Sequence, residues 1–263
     1  MPEGDTIFRT ATTLRRWMDR REITSARTTV LGLGVDRLVG LTVAEVTPKA
    51  KHLLIRFSNG LTLHSHMRMT GSWHLYRAGE RWRKPAYMAK VVLESGDRVA
   101  VCFNAPVVEM LTPSEERAHV SLNGLGPDVL ADLDIPEVRR RASLQPGDTL
   151  IGELLLDQRV VSGIGNIYRC ESLFVDRINP WKPLAEVSGT ALEHVVLTAA
   201  RLMKANVGAS GDRGRNLEAG GPNSSSVYGR TRRPCRRCGT PIKCARLGVQ
   251  AREVYWCPNC QRS

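Results

Sequence analysis

The chain has 263 residues, of which 42% are hydrophobic and 24% charged; this composition suits one large or two small globular domains and excludes a wholly disordered chain. The formal net charge is +12, and residues 230–263 hold nine lysines and arginines against one acidic residue. Such a basic segment attracts polyanions, nucleic acid first among them. No apolar run approaches the roughly 18–20 residues that span a bilayer. The first residues, MPEGDTIFR, do not form a secretory signal, so a cytoplasmic protein without a membrane partner is expected.

Local patterns in the first half predict one helix followed by strands. Apolar residues recur at helical spacing over residues 5–20, which predicts an amphipathic helix with Asp5 as its N-cap. Residues 53–57 and 61–63 flank a Ser-Asn-Gly sequence, and Asn-Gly is typical of a type I′ hairpin turn. A second hairpin is expected around residues 94–97. The first half is therefore predicted to be a β-sandwich with a leading helix.

The second half is predicted to be helical. Prolines punctuate the passage from strands to helices, and a domain boundary is expected near residues 132–145. Helices are predicted to open at Asn166 and, with Ser188 as the cap, to run through about residue 204. Residues 208–226 are rich in Gly, Ser and Asn, and this composition predicts a mobile loop.

Four of the seven cysteines form two Cys-x2-Cys knuckles separated by 18 residues: Cys235, Cys238, Cys257 and Cys260. This spacing lets two tight turns present four thiolates tetrahedrally to one Zn²⁺. Two disulfides are the alternative, but no export signal indicates an oxidising compartment. A segment this short, with few apolar side chains, needs a metal to stabilise it. Because four thiolates leave no open coordination position, one structural zinc ion is expected.

The amino terminus offers a nucleophile. If Met1 is removed, Pro2 becomes a free secondary amine, and an α-amino group has a pKa of roughly 7.7–8.0, so part of it is neutral near pH 7. A neutral amine can attack a carbon that bears a leaving group and form an iminium. Glu3 beside it can transfer protons. The same residues would also fit an ordinary frayed terminus.

A glycine-rich turn over residues 162–166 precedes a predicted helix. Backbone N–H groups at such a turn can hold a phosphate, and the side chain of Asn166 adds a donor. Turns of this kind also serve simply to connect helices. The basic cysteine-rich segment downstream favours the phosphate-binding interpretation, because both features suit a phosphodiester backbone.

Five segments occur together in a characteristic order: PEGDT at the start, Lys51 in KAKHLL, HSHMRMTGSW at 64–73, LLDQRVVSGIGNIYRCESLF at 155–174, and VYGR before the four-cysteine finger. Over essentially its full length the chain resembles the formamidopyrimidine-DNA glycosylase/endonuclease VIII family of base-excision repair enzymes, and it is more similar to the endonuclease VIII branch. The resemblance implies an α+β fold with three parts: a helix-flanked β-sandwich (1–132), a helix–two-turns–helix domain (133–230) and a zinc finger of the ribbon type (231–263).

The resemblance also implies a bifunctional DNA glycosylase and AP lyase. Pro2 would attack C1′ of a damaged nucleotide and expel the base, and the Schiff base would then allow β,δ-elimination. Glu3 would act as acid and base, and Lys51 would contact a phosphate beside the lesion. Oxidised pyrimidines are the expected substrates; oxidised purines such as 8-oxoguanine, and a non-catalytic DNA-binding zinc protein, are the alternatives. Damaged DNA is the expected partner of a monomer that uses no organic cofactor.

The resemblance assigns DNA contacts to six further residues: Asn166, Arg252, His66, Met69, Tyr228 and Arg230. Asn166 matches an asparagine that binds a backbone phosphate, and Arg252 matches the arginine at the tip of the finger. Met69 matches an apolar wedge that fills the gap left by an everted base. Each assignment has a structural alternative, such as core filling for Met69 or a solvated charge for Arg230.

Two departures from the family pattern bear on specificity. Asp5 stands where the family has a glutamate. No counterpart is found for the arginine and aromatic residue that fill the opposite strand in the 8-oxoguanine branch, which favours single-stranded or loosely paired substrates. The everted base is expected to meet the loop 208–226, whose polar candidates are Asp212, Arg213, Arg215, Asn216 and Glu218.

Overall fold

The computed structural model describes residues 2–131, 133–207, 217 and 225–262. The chain divides into two compact units, Met1–Asn123 and Gly124–Ser263. The first is rich in strands and the second in helices, which confirms the expected α+β fold; the three-part division at residues 132 and 230 stays a prediction. None of the described helices is long and apolar enough to cross a membrane. The candidates for reading the everted base, in the predicted loop 208–226, lie outside the described residues.

The described part of the first unit contains one long helix and eight strands. Helix α1 (Gly4–Met18) is followed by β1 (Ser25–Thr28), β2 (Val43–Lys49), β3 (His52–Phe57), β4 (Thr62–His66), β5 (Ser72–Arg77), β6 (Ala89–Ser95), β7 (Arg98–Phe103) and β8 (Val107–Leu111). One antiparallel sheet has the strand order β1-β6-β7-β5 and the other β2-β3-β4-β8.

The two sheets share an apolar core because alternate side chains of a strand point to the same face. The core combines alternate residues of β3 and β6 with the apolar stripe of α1: Leu53, Ile55, Phe57, Val91, Leu93, Ile7, Ala11, Leu14 and Met18. The stripe is the one that the helical spacing predicts. The first unit is therefore the expected β-sandwich flanked by a helix.

The hairpin predicted from residues 53–57 and 61–63 is formed by β3 and β4, but its turn is not of type I′. Such a turn needs two consecutive residues with positive φ. Here Gly60 has a φ of +85°, whereas Asn59 lies outside the left-handed region. The side chain of Asn59 instead accepts a hydrogen bond from the N–H of Leu61 over 3.0 Å. The second predicted hairpin is confirmed as β6 and β7.

The outer face of the sheet β2-β3-β4-β8 is covered by two short helices, α2 (Pro113–Ala118) and α3 (Val120–Asn123). Leu122 of α3 packs with Leu54 of β3 and Leu111 of β8. Glu116 of α2 accepts a hydrogen bond from Arg56 of β3 over 2.5 Å. These contacts fix the segment that follows β8 on the sheet.

The second unit contains α4 (Ile135–Ser143), α5 (Ile151–Leu154), α6 (Asn166–Val175) and α7 (Gly189–Val207), followed by a hairpin of β9 (Lys243–Leu247) and β10 (Arg252–Trp256). All four helices contribute to one apolar core. The predicted openings at Asn166 and after Ser188 are confirmed, and Ser188 Oγ accepts from the N–H of Ala191 over 3.1 Å as a helix cap. Leu247 and Val254 of the hairpin pack with Phe174 of α6.

Candidate active site and nucleic-acid interface

Pro2 and Glu3 lie directly before α1. The backbone of Glu3 is extended, and its carbonyl accepts hydrogen bonds from Thr6 N–H over 2.9 Å and from Ile7 N–H over 3.1 Å. Glu3 is thus the N-cap residue, and its side chain is fully buried. The helix dipole favours a carboxylate at this end. Glu3 is therefore held in place by the helix, which a frayed terminus would not achieve.

The prediction that Asp5 caps α1 is wrong. Asp5 is the second residue of the helix and is fully buried. Its carboxylate lies 3.7 Å from Nη2 of Arg9 and accepts a hydrogen bond from Thr6 Oγ1 over 3.3 Å. The helix starts earlier than the apolar stripe suggests, because the carbonyl of Glu3 already accepts the first helical hydrogen bonds.

The direction of α1 relates the amino terminus to Lys51. Just after α1, a backbone N–H donates to the carbonyl of Val43 in β2, and Arg15 of α1 donates to the carbonyl of Val46 over 2.6 Å. Helix α1 and strand β2 therefore run antiparallel. The helix covers about 18 Å from Arg15 back to Glu3. The strand covers about 17 Å in the same direction from Val46 on to Lys51. Glu3 and Lys51, in the turn between β2 and β3, therefore lie at the same end of the sandwich.

His66 belongs to a basic group at the end of β4. Burial first, and then the charges of Arg68 and Lys51, lower its pKa from the ordinary 6.5 to about 4. The imidazole is therefore neutral at pH 7 and offers one N–H donor. Together with the cations of Lys51 and Arg68 it makes a surface suited to a phosphate backbone. Sequence reasoning missed Arg68, which lies between two residues that it did select.

Met69 lies in the loop between β4 and β5, and its side chain is 58% exposed. Met67, two residues earlier, is 2% exposed and belongs to the core. The two methionines in HMRM therefore have different surroundings. The core-filling alternative therefore applies to Met67 and not to Met69, whose side chain is exposed.

The glycine turn places Asn166 at the first position of α6. Gly163 has a φ of +95°, a conformation that favours glycine. Its N–H donates to Oε1 of Gln158 over 3.1 Å, and Nε2 of Gln158 donates to the carbonyl of Ile164 over 3.0 Å. Gln158, from the LLDQ segment, thus braces the turn that opens the helix.

Asn166 is oriented by a buried arginine. Its Oδ1 accepts a hydrogen bond from Nη2 of Arg169, which is 0% exposed. The same guanidinium donates to the carbonyl of Gly152 over 3.2 Å and to that of Glu253 over 2.7 Å. Within the described part of the chain nothing bonds Nδ2 of Asn166, so this amide can donate to a ligand at the helix amino end. Sequence reasoning missed Arg169, whose signal is an arginine three residues after Asn166.

Arg252 begins β10, opposite Leu247 of β9. It contributes to the wall of a cavity of about 460 Å³ in the second unit, as does Arg169. Arg159, a third arginine in this wall, pairs with Asp157 over 2.7 Å. The structure thus brings Arg252 and the arginine that orients Asn166 into the wall of one cavity.

The VYGR segment is anchored to α6 by Glu171. Its buried carboxylate accepts hydrogen bonds from the N–H groups of Ser226, Val227 and Tyr228 over 2.7, 3.0 and 2.8 Å. Burial raises the pKa of this carboxyl, and the three N–H donors act in the opposite direction. Arg230 donates to the carbonyl of Ser226 over 2.5 Å. These bonds give Tyr228 and Arg230 structural contacts, and their predicted DNA contacts stay predictions.

The four predicted metal ligands converge on one point. The sulfur atoms of Cys235, Cys238, Cys257 and Cys260 all lie within 4.8 Å of one another. Neighbouring sulfurs are 3.5–3.9 Å apart. This is far beyond the roughly 2.05 Å of a disulfide, and it matches the edges of about 3.8 Å of a tetrahedron with Zn–S bonds of about 2.3 Å. The donor set therefore fits a tetrahedral metal ion and not two disulfides.

Comparison with known proteins agrees with this arrangement. The sequence model of the formamidopyrimidine-DNA glycosylase N-terminal domain matches residues 1–106, and that of the formamidopyrimidine-DNA glycosylase H2TH domain matches residues 125–216. The chain is 40% identical to "Probable endonuclease 8 2" of Streptomyces coelicolor over 99% of this chain and 94% of the relative. It is 34% identical to the "DNA-(apurinic or apyrimidinic site) lyase Nei2" of Mycolicibacterium smegmatis over 99% of both chains.

Among solved structures, the fold is similar to that of Lactococcus lactis Fpg (MutM), with a TM-score of 0.84 at 22% identity and full coverage of both chains. That protein was crystallised with DNA that contains N7-benzyl-Fapy-dG. At this identity the likeness concerns the fold. The two sequence models and the full-length relatives go further, and they show that the chain belongs to the formamidopyrimidine-DNA glycosylase/endonuclease VIII family.

Proposed function

We propose that the chain is a bifunctional DNA glycosylase and AP lyase of base-excision repair that removes oxidised bases, with oxidised pyrimidines preferred. The observation that carries this function is the buried N-cap carboxylate of Glu3 beside Pro2, at the end of the sandwich where Lys51 lies. The names of the relatives, endonuclease 8 and AP lyase, support it. A non-catalytic DNA-binding protein would have no need of this arrangement.

Catalysis would begin when Met1 has been removed. The neutral nitrogen of Pro2 attacks C1′ of the damaged nucleotide, the bond from C1′ to the base breaks, and the base leaves with the proton that the Pro2 nitrogen loses. Glu3 donates a proton to the sugar ring oxygen, the ring opens, and an iminium joins Pro2 to C1′. Loss of a proton from C2′ then expels the 3′ phosphate, and a second elimination expels the 5′ phosphate. Water hydrolyses the iminium and frees Pro2.

The other site residues would bind DNA. Lys51 and His66 would hold a phosphate beside the lesion, and Asn166 and Arg252 would hold the backbone from the second unit. Met69 would enter the space left by the everted base, which offsets part of the few kcal/mol that unstacking costs. Tyr228 and Arg230 would lie by the DNA-facing side of the cysteine-rich segment. Damaged DNA is the partner that this function requires. The chain would act on it as a monomer.

The four-cysteine site would hold one structural zinc ion. The ion supplies four metal–sulfur bonds and no open position for chemistry. Its role follows from the packing of the hairpin: Cys235 and Cys257 lie in the same cluster as Leu247 and Val254, which contact α6. The cysteine ligands would thereby fix the strand that begins with Arg252.

Borohydride trapping tests the proposed chemistry. The protein is mixed with oligonucleotides that carry thymine glycol, 5-hydroxycytosine, 8-oxoguanine or an abasic site, in single- and double-stranded form, and is then reduced. A covalent adduct that mass spectrometry assigns to Pro2 is expected, with more adduct on the two pyrimidine lesions than on 8-oxoguanine. An adduct on a lysine, or none on the abasic site, would contradict the mechanism, and preference for 8-oxoguanine would contradict the substrate class.

A further inference from the structure

Four of the six histidines of the chain lie together in the first unit, on the outer face of the sheet β2-β3-β4-β8. Nδ1 of His52 is 2.8 Å from Nε2 of His64, and Nδ1 of His64 is 2.8 Å from Oε2 of Glu109. Nε2 of His119 is 3.0 Å from the same carboxylate oxygen. The ring of His66 contacts that of His52 at a tilt of 50°, with ring centroids 4.6 Å apart. The proposed repair chemistry does not use His52, His64, Glu109 or His119.

The arrangement is built by three separate chain segments. His64 on β4 is directly opposite Glu109 on β8 in the antiparallel register, so both side chains share one face. His119 follows α2, which the Arg56–Glu116 ion pair ties to β3. Sheet pairing and helix docking therefore bring the three residues to one place.

We propose that His64 Nδ1, the Glu109 carboxylate and His119 Nε2 form a binding site for one divalent first-row transition-metal ion of the Zn²⁺ class. Two imidazoles and a carboxylate are a donor set typical of such ions. The three ligand atoms lie within 4.8 Å of one another. Three protein ligands leave a fourth position for water, and this would be a second metal site, separate from the four cysteines.

Binding an ion requires the ligand atoms to adjust. Bonds of roughly 2.0–2.2 Å to a tetrahedral ion place neighbouring ligand atoms about 3.4 Å apart. The carboxylate oxygen, now 2.8 and 3.0 Å from the two ring nitrogens, must move away from them by about 0.5 Å, and the two ring nitrogens, which lie within 4.8 Å of each other, must take the same spacing. The side chain of Glu109 is 43% exposed and free to shift, whereas that of His64 is 1% exposed and fixed. His119 is 17% exposed, so an ion can enter from solvent on the Glu109 side.

His52 would serve as the outer partner of the site. Metal-binding histidines usually donate their second ring N–H to a neighbouring acceptor, which fixes the tautomer. When His64 Nδ1 binds the ion, Nε2 carries the proton and donates it to His52 Nδ1, so that His52 must carry its own proton on Nε2. In the metal-free state His64 instead donates from Nδ1 to Glu109. Ion binding thus reverses the direction of the His52–His64 hydrogen bond.

The site is expected to bind less tightly than the four thiolates. Nδ1 of His119 is buried and meets no hydrogen-bond partner among the described residues, so its proton lacks the outer acceptor that strengthens such ligands. A mild chelator should therefore remove this ion while the ion held by the cysteines stays bound.

Titration with Co²⁺ of the protein that keeps its cysteine-bound zinc tests the site. One further ion per chain is expected to bind, with the visible spectrum of nitrogen- and oxygen-bound Co²⁺ and without thiolate charge-transfer bands. Glu109→Gln and His119→Gln should each weaken this binding at least tenfold, and His194→Gln, which removes an exposed histidine of α7, should not. The proposal would be overturned if no Co²⁺ binds in addition to the cysteine-bound zinc, or if Glu109→Gln and His119→Gln leave the affinity for Co²⁺ unchanged.

Nitrogen-15 NMR of the histidine rings gives an independent readout. Saturating Zn²⁺ should move the ring proton of His64 from Nδ1 to Nε2 and that of His52 from Nδ1 to Nε2. A hydrogen-bonded histidine network without a metal site would show unchanged tautomers at saturation, and this result would overturn the proposal. The measurement uses the folded wild-type chain, so it does not depend on the stability of any variant.

Discussion

Arg169 donates a hydrogen bond to the backbone carbonyl of Glu253 over 2.7 Å. The bond links the first turn of α6, where Asn166 lies, to the strand that begins with Arg252. Two residues expected to bind the same polyanion are therefore positioned by one buried guanidinium, although they are 86 residues apart in the chain.

Replacing Arg169 with leucine should destabilise the second unit and weaken DNA binding. The change leaves Asn166 Oδ1 and the carbonyls of Gly152 and Glu253 without this donor, and each buried acceptor left unpaired costs about 1–3 kcal/mol. Urea unfolding and DNA titration measure the two effects. Lys204→Leu, which removes one charge from an exposed position of α7, is the control, and equal losses in both variants would argue against the positioning role.

Arg252→Ala should weaken binding to all DNA sequences alike and reduce the salt dependence. A lost phosphate contact lowers the slope of log K against log salt by about 0.9. Arg246→Ala removes the same charge from an exposed position of β9 in the same hairpin, and its slope should change less. If the two variants have the same slope, Arg252 contributes only to the overall positive charge of the protein and does not contact a phosphate.

Glu3→Gln should lower the rate of base excision by roughly 10²–10⁴-fold, because glutamine keeps the shape of the side chain but cannot transfer a proton. Trapping on a pre-formed abasic site should persist, since Pro2 is unchanged. Single-turnover assays on both substrates separate the two steps. Glu22→Gln at an exposed position is the control. Full base excision by Glu3→Gln would refute the acid–base role.

Met69→Ala should slow removal of a paired oxidised base, while excision from single-stranded DNA should change little. The reason is that only a duplex requires an inserted side chain to replace the stacking of the everted base. Leu31→Ala, at a side chain that is 100% exposed, provides the control. Equal effects on single and double strands would exclude a wedge.

Cys257→Ser should lower the zinc content of the chain and its affinity for DNA, because one of four ligands is lost and the β9–β10 hairpin loosens. Cys244→Ser is the matched control, since Cys244 lies between the two knuckles but outside the four-sulfur cluster. Metal analysis of both purified variants gives the answer. Undiminished zinc in Cys257→Ser would disprove the ligand assignment.

Local sequence patterns predicted the elements with regular spacing. The stripe of α1, the strands on either side of Asn59-Gly60 and the opening of α6 at Asn166 all depend on neighbours within a few residues. The same local reasoning placed the N-cap of α1 at Asp5 and the hairpin turn in type I′. Both were wrong, because the start of a helix and the type of a turn depend on the backbone hydrogen bonds actually formed.

The sequence by itself determined the family, the α+β fold and the four cysteines, because chemical identity and spacing along the chain carry these features. Only the tertiary structure revealed three groups of contacts. Arg169 donates a hydrogen bond to Asn166, Glu171 accepts hydrogen bonds from the backbone at the VYGR segment, and His64, Glu109 and His119 form one cluster. Each group includes a contact between residues dozens of positions apart: Arg169 with Glu253, Glu171 with Ser226, and His64 with Glu109. Pairing between strands or packing of a helix brings these residues together. Side chains that meet only after folding leave no periodic signal in the sequence.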